Sequence, residues 1–217
     1  MDNLKAVIFD MDGVIIDSEP IHYKVNQDLY RKLEIEVSDD EYSNFIGVSN
    51  RDHWNILKDK YGLKNTTEDL VKRQIDSNIQ HLDKSDEEAI PGIIDLLEEL
   101  RINNVKIALA SSSAMRYIET VLEKFQIKDY FSVKVSGEDM DRGKPHPDIF
   151  LETARQLGLK PKDCLVIEDS ENGVKAAKSA GMKCVAYINP NSGNQDLSLA
   201  NIKVDSIKKL TIKELDN

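Results

Sequence analysis

Residues 5–14 read KAVIFDMDGV, and the fold prediction starts from this stretch. The apolar residues before Asp10 predict a short buried strand. Asp10 ends the strand and Asp12 follows two positions later. Because a carboxylate at the end of a buried strand is unfavourable unless it is paired or bound to a metal ion, the two residues form a candidate site. Taken alone, the motif leaves a solvated acidic turn open as the alternative.

Similar apolar runs recur along the chain, with amphipathic segments between them. The predicted strands are 5–10, 105–110, 131–135, 164–168 and 183–187, with a short one near 202–204. The predicted helices between them are 91–103, 114–125, 147–157 and 171–180. Strands that alternate with helices predict βαβ units, and therefore an α/β fold whose parallel sheet carries helices on both faces.

The region between the first two strands has a different character. It contains no convincing strand, and its apolar positions recur at helical spacing over about 20–33, 39–45, 50–61 and 66–82. We therefore predict a helical insert. The expected domains are a core of residues 1–16 with 88–217 and an inserted domain of residues 17–87.

The ends of the other strands also carry polar side chains. Parallel sheets bind ligands at the carboxyl ends of their strands. Ser111 to Ser113 precede a helix and fit either an anion site or simple N-capping. Lys144 lies in the proline-flanked sequence GKPHP, and Glu168 and Asp169 form a second acidic pair. Mg²⁺ is the cation that suits such carboxylates together with phosphate oxygens.

Charge and composition narrow the class of partner. The formal net charge of −10 argues against a nucleic-acid partner. No apolar run approaches the ~20 residues of a membrane span, and the first residues lack the features of a signal peptide. We therefore expect a cytoplasmic protein that does not contact a membrane and is a monomer. The two cysteines, Cys164 and Cys184, are expected to be buried and reduced.

Four motifs together resemble the haloacid dehalogenase superfamily. They are DMDGVIIDSEP at 10–20, ALASSS at 108–113, GKPHPDIF at 143–150 and VIEDSENGVKAAKSAG at 166–181. Their order and spacing match that superfamily, and the insert between the first two motifs resembles the four-helix cap of subfamily I. Within that subfamily, the chain is similar to the β-phosphoglucomutase-like group. The resemblance implies a Rossmann-like parallel sheet core with an inserted four-helix cap domain. It also implies Mg²⁺-dependent phosphoryl transfer on a small phosphorylated metabolite.

The resemblance implies a role for each matching residue in phosphoryl transfer. Asp10 matches the nucleophile that forms an aspartyl-phosphate. Asp12 matches the general acid/base that protonates the leaving oxygen and then accepts a proton. Ser111, Ser112 and Lys144 are expected to bind the phosphoryl group, with Lys144 offsetting its charge.

The resemblance also implies a metal site. Asp169 matches a magnesium ligand, joined by Asp10 and by the backbone carbonyl of Asp12. Glu168 matches a position that binds the metal either directly or through its surrounding shell. The dehalogenases of the superfamily lack the second aspartate, so the presence of Asp12 with Asp169 indicates phosphoryl transfer.

The insert contains candidate substrate contacts. In the resembling mutases, a histidine that matches His22 helps to position the catalytic acid, and an arginine near Arg51 grips a distal phosphate. Arg51 stands one residue further from Gly47-Val48 than in that pattern. A surface or hinge role is the alternative for His22. Trp54 is interpreted as part of the core of the insert.

Two departures separate this chain from the mutase pattern. The mutases carry a lysine before the Gly-Val pair and another after the serine cluster, where this chain has Ile46 and Ala114. Because these changes remove positive charge, we expect a phosphatase of sugar phosphates or related metabolites. A β-phosphoglucomutase is the alternative. A non-catalytic binding protein and a phosphonate hydrolase are less consistent with the motifs.

Overall fold

The computed structural model describes residues 4–46 and 48–215. The chain divides into two compact units. The first contains Met1–Asp17 and Glu88–Asn217, and the second contains Ser18–Glu87. All strands belong to the first unit, as far as the described residues extend.

The first unit is built on a six-stranded sheet. Its strands are β1 Ala6–Phe9, β2 Lys106–Ser111, β3 Val133–Ser136, β4 Cys164–Glu168, β5 Lys183–Tyr187 and β6 Ile202–Val204. Every neighbouring pair is parallel, and the order across the sheet is β3-β2-β1-β4-β5-β6. The α/β fold prediction is confirmed, although β3 begins two residues later than the sequence predicted.

Nine α-helices accompany the strands in the described part of the chain. In chain order they are α1 Glu19–Lys32, α2 Asp39–Ser43, α3 Asn50–Tyr61, α4 Thr67–Lys84, α5 Ile93–Ile102, α6 Met115–Lys124, α7 Asp148–Leu157, α8 Glu171–Ser179 and α9 Ile212–Leu215. The first four lie in the second unit and the other five in the first.

Strand β1 is buried on both faces, which explains its unbroken apolar sequence. Ala6 and Ile8 belong to one core cluster together with Phe150 of α7 and Val174 of α8. Val7, which alternation places on the opposite face, is also fully buried. The sheet therefore packs against residues on both of its faces.

The strand order reverses between β1 and β4. Phe9 of β1 pairs with Leu109 of β2 on one side and with Ile167 of β4 on the other. The three strands therefore end at nearly the same level. A parallel sheet opens a crevice at such a point, outside the carboxyl ends of its strands, and ligands bind there.

Four helices make up the second unit in the described residues. Side-chain oxygens accept hydrogen bonds from backbone N–H groups three residues later, and so cap three helix starts, at Ser38, Ser49 and Thr66. Helices α1 and α3 both pack against α4. Trp54 is fully buried and its indole N–H donates to Gln74 at 2.9 Å, so Trp54 is a core residue, as predicted.

Both cysteines are buried and neither forms a disulfide bond. Burial raises the pKa of Cys164 to about 11 and that of Cys184 to about 12. These thiols are therefore unreactive core side chains, as predicted. Among the helices of residues 4–46 and 48–215, none has the length and apolar character required to cross a bilayer.

Candidate active site

Asp10 lies immediately after β1, at the point where the strand order reverses. Its backbone N–H donates to the carbonyl of Ile167 at 3.0 Å, and its side chain is buried. Burial raises the pKa of Asp10, Lys144 acts against this, and the negative charges of Glu168 and Asp12 add to it, so that the pKa is about 8. The carboxylate therefore lies in a crowded, poorly hydrated position.

Lys144 reaches the same crevice from the loop before α7. Its ammonium donates to Asp10 Oδ1 at 2.6 Å, to Glu168 Oε1 at 2.6 Å and to the carbonyl of Ala110 at 3.2 Å. Burial lowers the pKa of Lys144, but the two carboxylates outweigh this and raise it. Lys144 is therefore a fixed positive charge rather than a solvated loop lysine.

Glu168 is the last residue of β4 and is completely buried. One oxygen accepts from Lys144, and the other accepts from the backbone N–H of Asp169 at 2.9 Å and from Ser170. Ser170 donates twice, through its N–H at 3.0 Å and its hydroxyl at 2.9 Å. Four donors thus hold a single carboxylate.

Asp169 follows Glu168 and is also buried. Its Oδ2 accepts a hydrogen bond from the hydroxyl of Ser192. Burial, followed by the charges of Glu168 and Asp10, raises the pKa of Asp169 well above its ordinary value, while Ser192 and Lys144 act in the opposite direction.

Three carboxylates converge in this crevice. One oxygen from each of Asp10, Glu168 and Asp169 lies within 4.8 Å of the others. A cluster of hard oxygen donors suits Mg²⁺, and a cation there would favour the ionised forms that burial disfavours. The residues present therefore fit a magnesium ion.

Asp12 lies apart from that cluster, on the side of β2. Its Oδ2 accepts from the hydroxyl of Ser113 at 2.7 Å and from that of Ser111 at 3.2 Å. Its carboxylate is not one of the three that converge. The two acids of the first motif therefore occupy different environments.

In the serine cluster at the end of β2, successive side chains alternate between the inside and the outside of the protein. Ser111 is fully buried and Ser113 half-buried, and both contact Asp12, whereas Ser112 is exposed. Successive residues of an extended chain point to opposite sides, so Ser112 faces away from its two neighbours. The sequence prediction selected Ser111 and Ser112 and missed Ser113, although the period of two was a signal for it.

The residues that were predicted to contact the substrate from the second unit are Arg51 and His22. The guanidinium of Arg51, on α3, donates to Glu68 on α4 at 2.9 Å, and both side chains are about two-thirds exposed. His22 is half-buried on α1. Gly47 lies outside the described residues.

Comparisons with known proteins agree with these motifs. The family model for haloacid dehalogenase-like hydrolases matches residues 7–187. Hexitol phosphatase B of Escherichia coli O157:H7 is 32% identical over 215 residues, covering 97% of this chain and 96% of that protein. The β-phosphoglucomutase of Bacillus subtilis is 35% identical over 188 residues, covering 84% and 82%.

A solved structure gives the same result for the fold. The crystal structure of β-phosphoglucomutase from Clostridium difficile aligns with a TM-score of 0.85 and 29% identity, covering 98% of this chain and 95% of that one. That coverage includes the helices of the second unit as well as the sheet. The chain therefore belongs to the haloacid dehalogenase-like hydrolase family and is an enzyme of its hydrolase and phosphotransferase class.

Proposed function

We propose that this enzyme is a Mg²⁺-dependent phosphomonoesterase that hydrolyses small sugar phosphates or related metabolites through an aspartyl-phosphate on Asp10. One observation carries the proposal: Asp10 shares a buried crevice with a lysine and two further acids, while Asp12 is held separately by two hydroxyls. A nucleophile and an acid/base in different environments are what two-step phosphoryl transfer requires.

In the first step, a carboxylate oxygen of Asp10 attacks the phosphorus atom and the bond to the leaving oxygen breaks. Asp12 donates a proton to that oxygen, which leaves as an alcohol. In the second step, Asp12 accepts a proton from water as the water attacks phosphorus. Free phosphate then leaves and the Asp10 carboxylate is restored.

Charge neutralisation supports this chemistry. A phosphate must approach the anionic side chain of Asp10, and Lys144 supplies a fixed positive charge 2.6 Å from that side chain. Ser111 is proposed to donate a hydrogen bond to the phosphoryl oxygens through its hydroxyl. Ser112 is proposed to do so through its backbone N–H, since its side chain is exposed. Because Ser111 is fully buried and bonded to Asp12, it also links the phosphoryl site to the acid.

Magnesium would be held by Asp10, Asp169 and the backbone carbonyl of Asp12. When bound, it would supply positive charge that favours the approach of phosphate and stabilises the transition state. The four hydrogen bonds on Glu168 favour a role in the shell around the ion rather than direct coordination.

The second unit is proposed to be the cap that contributes substrate contacts, with residues 17–87 as its predicted bounds. Arg51 would have to exchange Glu68 for a substrate phosphate, and an exposed ion pair of this kind is worth only about 0–1 kcal/mol. His22 is proposed to help position Asp12. The monomeric state and the cytoplasmic location stay predictions of the sequence.

A β-phosphoglucomutase is the second candidate, because two relatives carry that name. The replacement of two mutase lysines by Ile46 and Ala114 favours the phosphatase, since a mutase must retain a bisphosphate. The substrate class rests on the relatives named hexitol phosphatase and phosphoglucomutase.

The test is an assay of purified protein with Mg²⁺ against a panel of sugar and polyol phosphates. The panel includes β-glucose 1-phosphate, with and without a trace of glucose 1,6-bisphosphate, and both free phosphate and glucose 6-phosphate are measured. Phosphate release that EDTA abolishes and Mg²⁺ restores is the expected result. Glucose 6-phosphate formation that depends on the bisphosphate would identify a mutase instead.

A further inference from the structure

The loop after β5 contains three polar side chains that are buried or half-buried, and one of them contacts Asp169 of the candidate site. We call residues 189–195 the strap. Within it, Asn189 and Ser192 are buried and Gln195 is half-buried, although the sequence is rich in the small and polar residues of a solvated turn. Side chains of this kind are normally exposed, so their burial calls for specific partners.

Asn189 links the strap to the turn after β1. Its side-chain amide donates to the carbonyl of Gly13 at 2.9 Å, and its own oxygen accepts from the N–H of Asn191 at 2.8 Å. Gly13 has a φ of +78°, and a side chain there would overlap the carboxylate of Asp169. The strap, the Gly13 turn and Asp169 are therefore in close contact.

Gln195 links the strap to the first turn of α8. Its amide N–H donates to the carbonyl of Ser192 at 2.8 Å, and its oxygen accepts from the N–H of Glu171 at 2.9 Å. This contact satisfies a helix N-terminal N–H that lacks a partner within the helix. Ser192 is thereby fixed between two anchors, Asn189 and Gln195.

Ser192 contacts Asp169 directly. Its hydroxyl donates to Oδ2 of that carboxylate, in a position where both side chains are buried. An oxygen that already accepts a hydrogen bond is less available to a cation. Asp169 is therefore set to offer Oδ1 alone, which suits one-oxygen coordination of a small octahedral ion rather than two-oxygen coordination of a larger one.

We propose that Ser192 is a positioning residue that orients Asp169 for magnesium and favours Mg²⁺ over Ca²⁺. The inference rests on the proposed function, because it assumes that Asp169 is a metal ligand. Groups that hydrogen-bond to metal ligands typically change metal affinity about 10–100-fold when they are removed. Loss of the hydroxyl should weaken Mg²⁺ more than Ca²⁺, which accepts two-oxygen carboxylate ligands.

The test is calorimetric titration of the substrate-free protein with Mg²⁺ and, separately, with Ca²⁺. Ser192→Ala is expected to bind Mg²⁺ about 10–100-fold more weakly, with a smaller change for Ca²⁺. Ser192→Thr retains the hydroxyl and should restore Mg²⁺ affinity. Ser198→Ala removes an exposed hydroxyl nearby and should match the wild type.

The outcomes separate the two proposals. Wild-type protein that binds no Mg²⁺ would overturn the proposed function and this inference with it. If the wild type binds Mg²⁺ and Ser192→Ala binds it equally tightly, the inference alone would be overturned. An equal loss of affinity for Mg²⁺ and Ca²⁺ in Ser192→Ala would have the same consequence. If Ser192→Ala does not fold, Ser192→Cys, with its weak donor, provides the same comparison and should lower the Mg²⁺ to Ca²⁺ affinity ratio.

Discussion

The ammonium of Lys144 lies 2.6 Å from Oδ1 of Asp10, although 134 positions separate the two residues in the chain. The same ammonium lies 2.6 Å from Glu168 Oε1, and each of the three side chains is less than a tenth exposed. One lysine therefore offsets the charge of two carboxylates in a buried position where water screens these charges little.

Replacing Lys144 by Met should impair both activity and stability. The substitution keeps most of the side-chain length but leaves Asp10 and Glu168 without their shared cation. We expect turnover to fall at least about 100-fold, because a charge that stabilises the transition state is lost. The free energy of unfolding should fall by about 3 kcal/mol, as for other broken buried ion pairs. Steady-state kinetics and urea unfolding measure the two effects.

The matched control is Lys209→Met. Lys209 pairs with Asp205 at 2.5 Å, but both side chains are more than 60% exposed. We expect unchanged turnover and a stability change within about 1 kcal/mol. A Lys144→Met protein that behaved like this control would contradict the role given to Lys144.

Ser113→Ala should lower turnover about tenfold, since the hydroxyl donates to Asp12 at 2.7 Å and its loss changes the orientation of the acid. The Michaelis constant should change little, because Ser113 is not proposed to bind the substrate. Ser132→Ala is the control. Ser132 lies just before β3, and its hydroxyl donates to the carbonyl of Ile107 rather than to Asp12. Equal turnover by the two variants would show that Ser113 does not position Asp12.

Gly173→Ala should be destabilising although it lies in helix α8. In an exposed helix, this substitution normally stabilises by about 1 kcal/mol. Here the added methyl group would overlap the carboxylate of Glu168, so we expect a loss of about 1–3 kcal/mol together with reduced activity. Urea unfolding gives the sign of the change. Gly143→Ala serves as the control, because the added carbon has open space around it. Stabilisation by Gly173→Ala would be evidence against the close approach of α8 to Glu168.

The buried pair of Tyr30 and His53 makes the stability of the second unit sensitive to pH. The two side chains are hydrogen-bonded at 2.6 Å, and burial lowers the pKa of His53 from 6.5 to about 4. Between pH 6.5 and about 4 the unfolded chain therefore binds a proton that the folded chain does not. The contribution of His53 to the free energy of unfolding is therefore fully present above pH 6.5 and is lost as the pH falls toward 4.

Urea unfolding at pH 7.5 and 4.5 measures this effect. His53 should contribute about 2–3 kcal/mol to the difference between the two values. His53→Gln retains a side chain that can hydrogen-bond with Tyr30 but does not titrate in this range, so the pH dependence of its stability should be flatter by that amount. His81→Gln, also in the second unit, should keep the wild-type difference. An equally steep dependence in His53→Gln would refute the prediction.

The sequence predicted the sheet because its central strands, β1, β2 and β4, have continuous apolar runs with polar groups at their ends. Asp10, Lys144 and Glu168 could be selected on that basis, since parallel strands end at one edge and the structure does bring these residues together. The helix starts in the second unit were also predictable, because capping side chains such as Ser49 and Thr66 mark them.

The contacts of the strap were not predictable in the same way. Ser192 is 23 positions from Asp169 and lies in a turn whose composition indicates only a loop. Its burial depends on how the chain folds back after β5, and the sequence of that loop has no hydrophobic periodicity from which this could be predicted. The pairing of Arg51 with Glu68 likewise depends on the packing of α3 against α4.

The central claim, that Asp10 is the covalent nucleophile, can be tested directly by trapping the aspartyl-phosphate. The enzyme is mixed with Mg²⁺ and its best substrate, quenched in acid within milliseconds and reduced with borohydride, which converts an acyl phosphate into an alcohol. Peptide mass spectrometry should then find homoserine at position 10 in the wild type and unmodified Asn in Asp10→Asn, which should be inactive. Continued turnover without modification at position 10, or wild-type hydrolysis by Asp10→Asn, would contradict the account.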